Sequence, residues 1–219
     1  MRALELFCGV NHSFGKVARA LGWEVISVDI NPNATPDLLL DILALNETSW
    51  PRDHFQFVWA SPPCESYSTA RTNAKVDRAD AMQKADKLLA KTRNIIDYFG
   101  CHWAIENPLH SQMWTREVAR GLLESSCITS YCSFGMLYRK NTRIANSFGL
   151  KLPRCLGAGL CPAMIGSKHI DHAQKGGGGI SGRYHSLDEL HQIPRLLVEE
   201  LFAQLQQVGM QRSHGSNHM

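Results

Sequence analysis

The segment Ala60-Ser61-Pro62-Pro63-Cys64 sets a thiol directly behind two prolines. Proline fixes its own φ and restrains the residue before it, so Cys64 reads as a thiol held in fixed geometry. Its thiolate form is a strong nucleophile. Taken alone, a cysteine after an apolar run such as Phe55-Gln56-Phe57-Val58-Trp59 is more often a buried structural residue. Two further segments change that balance. Ala104-Ile105-Glu106-Asn107-Pro108 carries a carboxylate at the end of an apolar run, and Arg139-Lys140-Asn141-Thr142-Arg143 is a cationic cluster. Nucleophile, carboxyl and cation are the parts that covalent catalysis combines with proton transfer and charge stabilisation.

A second group points to ligand binding. Phe7-Cys8-Gly9 ends the first apolar run in a glycine turn, where the backbone can approach a ligand closely. Asp29 follows about 20 residues on, a usual place for a carboxylate that binds ribose hydroxyls. Asp41 closes the next apolar run and is placed to accept from an adenine amino group. The set suits an adenosine cofactor. The turn after the first apolar run lacks a G-x-G-x-x-G fingerprint, which counts against a dinucleotide. A third group, Cys155, Cys161, His169 and His172, has the spacing C-x5-C-x7-H-x2-H, with Cys132 as a possible neighbour. Two sulfurs and two imidazoles suit tetrahedral zinc, although the spacing is not that of the usual fingers.

These residues need a scaffold. Apolar runs at Ala3–Phe7, Val25–Asp29, Leu38–Asp41, Phe55–Ala60 and Trp103–Glu106 read as strands. Between them, Ser13 is a candidate cap for a helix carrying Phe14, Val17, Ala18 and Leu21, and Ala79–Phe99 has the spacing of a long amphipathic helix. A helix near Met113–Leu123 and strands near Ile128–Cys132 and Arg143–Asn146 follow. Alternation of this kind implies a mostly parallel α/β sheet covered on both faces. Residues 1–150 form the core. Residues 151–182 are a short irregular insert, residues 183–210 a helical segment packing back (Leu187–Val208, with Pro194 in a first turn), and residues 211–219 a disordered tail.

In this order, Leu6-Phe7-Cys8-Gly9, Pro62-Pro63-Cys64, Glu106-Asn107-Pro108 and the cationic cluster resemble the cytosine-C5 methyltransferases, which methylate carbon 5 of cytosine in DNA using S-adenosylmethionine. The resemblance implies a Rossmann-like methyltransferase fold, with the cofactor against Phe7, Cys8, Gly9, Asp29, Ile30, Asp41, Ile42 and Pro62. It makes Cys64 the nucleophile that attacks carbon 6 of a flipped-out base. Glu106 then serves ring nitrogen 3, which needs a carboxyl kept protonated by burial. Asn107 fixes the loop backbone, and a cation holds the base's carbonyl oxygen, with Arg143 the first candidate and Lys140 the second. The polar loop of Ser66, Ser68, Thr69, Arg71, Thr72, Asn73 and Lys75 suits phosphate contacts. The family's C-terminal motif survives only as Gln192-Ile193-Pro194. The interval between Ile144 and Leu187 is short for a recognition region and contains four consecutive glycines.

At 219 residues and a net charge of +3, the chain suits one domain and is too weakly basic for charge alone to identify a nucleic-acid partner. An odd count of seven cysteines argues for a reducing compartment with free or metal-bound thiols. With no apolar span or signal segment evident, the expectation is a cytoplasmic or nuclear protein with no membrane partner. Its partner is DNA, with a second copy or another protein as possible suppliers of recognition. The same chemistry on RNA, and a non-catalytic binding module, are the alternatives.

Overall fold

The structure, a computed structural model, describes residues 1–68, 78–174 and 179–215, with backbone alone from 209 onward. The expected loop residues Thr69, Arg71, Thr72, Asn73 and Lys75 therefore lie outside the described residues. Strands β1 (Arg2–Leu6), β2 (Glu24–Asp29), β3 (Leu38–Leu39), β4 (Phe57–Ala60), β5 (His102–Pro108), β6 (Ser126–Ser130) and β7 (Asn141–Asn146) form one sheet in the order β3-β2-β1-β4-β5-β7-β6. Pairing is parallel from β3 through β5, and antiparallel where β7 meets β5 and β6. This is the expected Rossmann-like α/β arrangement. The chain runs outward to β2 and β3 on one side of β1, then returns to β4 on the other. Strand order therefore reverses between β1 and β4, and a ligand crevice opens beyond the carboxyl ends of such a pair.

Side chains alternate across the sheet, which divides the interior into two layers. Phe57 and Trp59 of β4 pack with helix α1 (Ser13–Ala20) and the terminal helix α4 (Arg195–Gly215), through Phe14, Leu197, Leu201 and Phe202. Phe14 stacks on Trp59 with ring centroids 5.2 Å apart. Val58 and Ala60 face the other way, toward Leu89, Ile96 and Phe99 of α2 (Arg78–Phe99). Both layers are apolar and buried, and the strand ends lie between them.

Several local expectations are revised. The segment after Met113 forms short 3-10 turns, Gln112–Thr115 and Glu117–Ala119, in place of one α-helix. Arg93 Nη1 donates to the carbonyls of Val118 and Arg120, and Leu122 N bonds back to Ala119. The Val118 carbonyl that an α-helix would offer to Leu122 is thus used elsewhere. The segment Leu187–Val208 holds two helices: α3 (Leu187–His191), opened by a capping box between Ser186 and Glu189, and α4, which starts directly after Pro194. Pro194 lacks an N–H and holds its predecessor extended, which accounts for the break. Helix α4 continues to Gly215. Ser13 caps no helix. His12 is the N-cap, and Ser13 Oγ instead accepts a hydrogen bond from Ile193 N, tying α1 to the α3–α4 junction. Among the described residues of 151–182, β8 (Met164–Ile165) and β9 (Lys168–His169) form a small hairpin.

Candidate active site

A cleft of about 420 Å3 opens at the carboxyl ends of β1 and β4, at the point where strand order reverses. Its two ends differ in construction. One end is the turn after β1. Phe7 and Gly9 both adopt positive φ, 59° and 57°. A Cβ on Gly9 would meet no protein atom within 4 Å, so this backbone faces open space. Asp29 Oδ2 accepts from Gly9 N at 2.8 Å, and its Oδ1 accepts from Asn31 N at 2.8 Å. The carboxylate at the end of β2 therefore shapes the turn as well as lining the cleft.

Beneath this turn lies a residue that the sequence reading did not single out. Glu5, one residue before the end of β1, is 1% exposed yet borders the cleft. Its Oε1 accepts from Gly15 N at 3.0 Å, and its Oε2 lies 3.8 Å from His12 Nδ1. A Cβ at Gly15 would collide with this carboxylate, so the glycine is what lets α1 approach β1. The neighbouring Glu5 carboxylate is the main reason that His12 stands above the ordinary imidazole pKa. A charged residue in an apolar strand was the available signal, but strand alternation does not say whether it faces water or a cleft.

The other end is built from β4, β5 and β7. Cys64 follows β4, and its loop is tied to β5 by Asn107 Nδ2, which donates to the Pro62 carbonyl at 2.8 Å. Glu106, 5% exposed, reaches the same cleft. Its Oε1 accepts from Tyr131 Oη at 3.2 Å and from the Thr142 hydroxyl. Burial and the Glu106 charge push the Tyr131 hydroxyl pKa well up, which keeps it a donor. Lys140 also lines the cleft. Its Nζ donates to the Leu190 carbonyl at 2.9 Å and lies 4.9 Å from the Tyr131 ring centre.

Two cleft cysteines are thereby set apart. Burial, with the charges of Glu5 and Asp29, pushes the Cys8 thiol up to about 12. Burial and Glu106 also raise the Cys64 thiol, but Lys140 opposes them. Of the two, Cys64 has the cation.

Phe7, Cys8, Gly9, Asp29, Pro62, Cys64, Glu106, Asn107 and Lys140 all border this cleft, and the C-terminal segment closes it with Asp188, His191 and Ile193. Arg143 does not reach it. In the β5–β7 register Arg143 lies opposite Asn107 and Ile144 opposite Glu106, so Arg143 and Glu106 project from opposite faces. The guanidinium bonds to Ser126 Oγ at 2.9 Å and lies over the Trp114 ring. Asp41 is also elsewhere, capping the turn Ile42–Ala44 through Leu43 N. Ile42 is buried in the α2-side core, and Ile30 is exposed outside the cleft.

The third group gathers away from the cleft. Cys132, Cys155, Cys161 and His169 bring three Sγ atoms and one ring nitrogen within 4.8 Å of one another. Cys132 takes the place expected for His172, which is exposed. All seven cysteines are free of disulfides. Among the described residues no helix is long and apolar enough to cross a membrane.

No family model matches the chain. Its sequence is 30% identical over 227 residues to the Frog virus 3 (isolate Goorha) protein named "Probable DNA (cytosine-5)-methyltransferase", an alignment taking in 92% of this chain and 98% of that protein. Similar solved structures include the S. pombe Dnmt2 methyltransferase, with a TM-score of 0.47 and 16% identity over 69% of this chain and 50% of that one. Another is the Entamoeba histolytica methyltransferase EhMeth, with a TM-score of 0.46 and 17% identity over 70% of this chain and 56% of that one. The chain spans about half the length of these solved structures. The viral relative matches across nearly its whole length, and on that likeness the chain belongs to the cytosine-C5 methyltransferase family.

Proposed function

We propose that this chain transfers a methyl group from S-adenosylmethionine to carbon 5 of cytosine in DNA, by way of a covalent adduct between Cys64 and carbon 6 of a flipped-out base. The observation that carries the reading is the convergence of Cys64, Glu106 and Lys140 on one end of a cleft whose other end is the Phe7–Gly9 turn and Asp29. That turn fits an adenosine cofactor: open space at Gly9, a carboxylate at the end of β2, and the apolar Phe7 and Pro62. When bound, S-adenosylmethionine supplies the methyl group as an electrophile.

The chain's own residues prepare the base to accept it. Carbon 5 of cytosine is a poor nucleophile. Addition of the Cys64 thiolate to carbon 6 breaks the ring's aromaticity and pushes electron density toward carbon 5. Charge that would build on nitrogen 3 is met by a proton or hydrogen bond from Glu106. The Tyr131 and Thr142 hydroxyls hold the Glu106 carboxyl at Oε1, which fixes its position in the cleft for that role. Lys140 favours the thiolate and can hold the base's carbonyl oxygen. Asn107 keeps the Pro-Pro-Cys backbone in place.

Residues 1–150 supply this chemistry, and the segment from 151 onward supplies recognition and closure. Only residues 147–186 separate β7 from α3. So short a stretch offers few base contacts, each giving about 1–3 kcal/mol of discrimination, which implies a target of roughly two to four base pairs. A second copy or another protein could extend that recognition.

Incubation with labelled S-adenosylmethionine and matched DNA and RNA, followed by nucleoside analysis, tests the substrate. The expected product is 5-methylcytosine in DNA. Label confined to RNA, or on another atom, overturns the reading. DNA containing 5-fluorocytosine should trap wild type in a complex that survives denaturation, because fluorine blocks the final elimination. Cys64→Ala should trap none.

A further inference from the structure

We infer that Cys132, Cys155, Cys161 and His169 bind one zinc ion, and that this ion fastens the insert to the catalytic core. Zinc in structural sites is tetrahedral, with Zn–S near 2.3 Å and Zn–N near 2.0–2.1 Å, so ligand atoms on a tetrahedral edge stand about 3.6–3.8 Å apart. His169 Nε2 lies 3.5 Å from Cys155 Sγ and 3.8 Å from Cys161 Sγ. With Cys132 Sγ, all four atoms lie within 4.8 Å of one another. Three thiolates and an imidazole on closed, tetrahedral geometry favour zinc over hard cations, which take oxygen ligands.

The loop between the ligands supports this independently. Cys155-Leu156-Gly157-Ala158-Gly159-Leu160-Cys161 turns through positive φ at Gly157 and Gly159, 82° and 79°. Leu156 and Leu160 are each 70% exposed, whereas Cys161 is 8% exposed. A loop folded by apolar burial would put its leucines inward. Here they point out and the sulfurs point in. The apolar cluster under the loop is small, with Ala163 and Met164 beside the three cysteines. That is little burial to hold so irregular a segment, and metal binding would supply the missing folding energy.

The four ligands span two parts of the chain. Cys155, Cys161 and His169 belong to the insert. Cys132 sits in the turn Tyr131–Phe134 after β6, next to Tyr131, whose hydroxyl bonds Glu106. The ion would thus join the insert to the wall of the candidate active site.

Elemental analysis of reduced protein purified without added metal should find about one zinc per chain. Cobalt substitution should give the intense visible bands of a tetrahedral thiolate site. Cys132→Ser and Cys155→Ser should lose the bound metal, while Cys101→Ser and His172→Ala keep it. Should the ligand variants fail to fold, alkylation of the wild-type protein still decides the matter. Chelation should speed modification of Cys132, Cys155 and Cys161 together, about tenfold or more once thiolates are released, and leave Cys101 unaffected. Metal-free folded protein, a disulfide within the cluster, or alkylation indifferent to chelator would each overturn the inference.

Discussion

The cysteines of this chain sit in two contrasting settings. Cys64 stands in a cleft among a carboxylate, a lysine and a rigid proline backbone. Cys132, Cys155 and Cys161 face one another and an imidazole, outside that cleft. The side chain is the same, and its neighbours decide what it does. A lone thiol beside Lys140 can be offered to a substrate. Clustered thiols have each other as neighbours, and only a shared cation relieves the repulsion when they ionise. Cys8 is a third setting: it lines the cleft, but Glu5 and Asp29 surround it with negative charge and keep it a thiol.

The contrast breaks most decisively through exchange of roles. Cys64→Ala should lower methyl transfer on the order of 10^5-fold or more, as expected when a nucleophile is removed, and leave zinc content unchanged. Residual activity near wild type would show that Cys64 is not the nucleophile. Glu106→Gln keeps the shape of the side chain but cannot deliver a proton. It should cost about 10^2–10^4-fold in kcat, the usual range for a general acid, with cofactor affinity unaltered by calorimetry.

Smaller effects sharpen the comparison. Burial and Glu106 raise the Cys64 thiol pKa and Lys140 lowers it. Alkylation of Cys64, followed site by site by mass spectrometry, should therefore rise with pH to a midpoint above the ordinary thiol value of about 8.5. Lys140→Met should move that midpoint further up, and Arg143→Met should leave it in place. The reverse pattern would restore Arg143 as the working cation. At the cofactor end, Asp29→Ala removes the acceptor of Gly9 N and Asn31 N. It should weaken S-adenosylmethionine binding by roughly 1–3 kcal/mol, whereas Asp41→Ala should have no measurable effect.

The smallest effect concerns His12. Its pKa is raised in the folded chain, chiefly by Glu5. A raised imidazole contributes stability that is fully present below its unfolded pKa and is lost as pH rises through the folded one. Glu5→Gln should therefore destabilise the protein more at pH 5.5–6 than at pH 8, a window set by an unfolded imidazole near about 6.5. Thermal melts across pH read the difference, and equal shifts at both values would remove the pair from the account.

Much of the scaffold was legible because its signals are local. Apolar runs ending in Gly9, Asp29 and Pro62 mark strand ends whatever the rest of the chain does. Helix α2 announces itself by spacing alone. The failures are non-local. The Met113–Leu123 segment has helical spacing, but Arg93, from a distant helix, takes the carbonyls that an α-helix would use. Ser13 looked like a cap and instead holds Ile193 N, far along the chain. Glu5 escaped notice because a charge within a strand declares neither its face nor its partner, and His12 because its partner lies on that strand.

By itself, then, the sequence determined the class of fold, the family resemblance, and which residue types could do the chemistry, since these follow from local pattern and motif order. Only the tertiary structure decided which of several equivalent side chains arrive. Lys140 and Arg143 are both cations after the same turn, but the antiparallel register of β5 and β7 sends Arg143 to the opposite face from Glu106. Cys132 joins the insert's cluster because the turn after β6 brings it there, while His172, nearer in sequence, remains exposed. In a sheet, one position along the strand reverses a side chain's direction, and no composition or spacing carries that sign until the strands are paired.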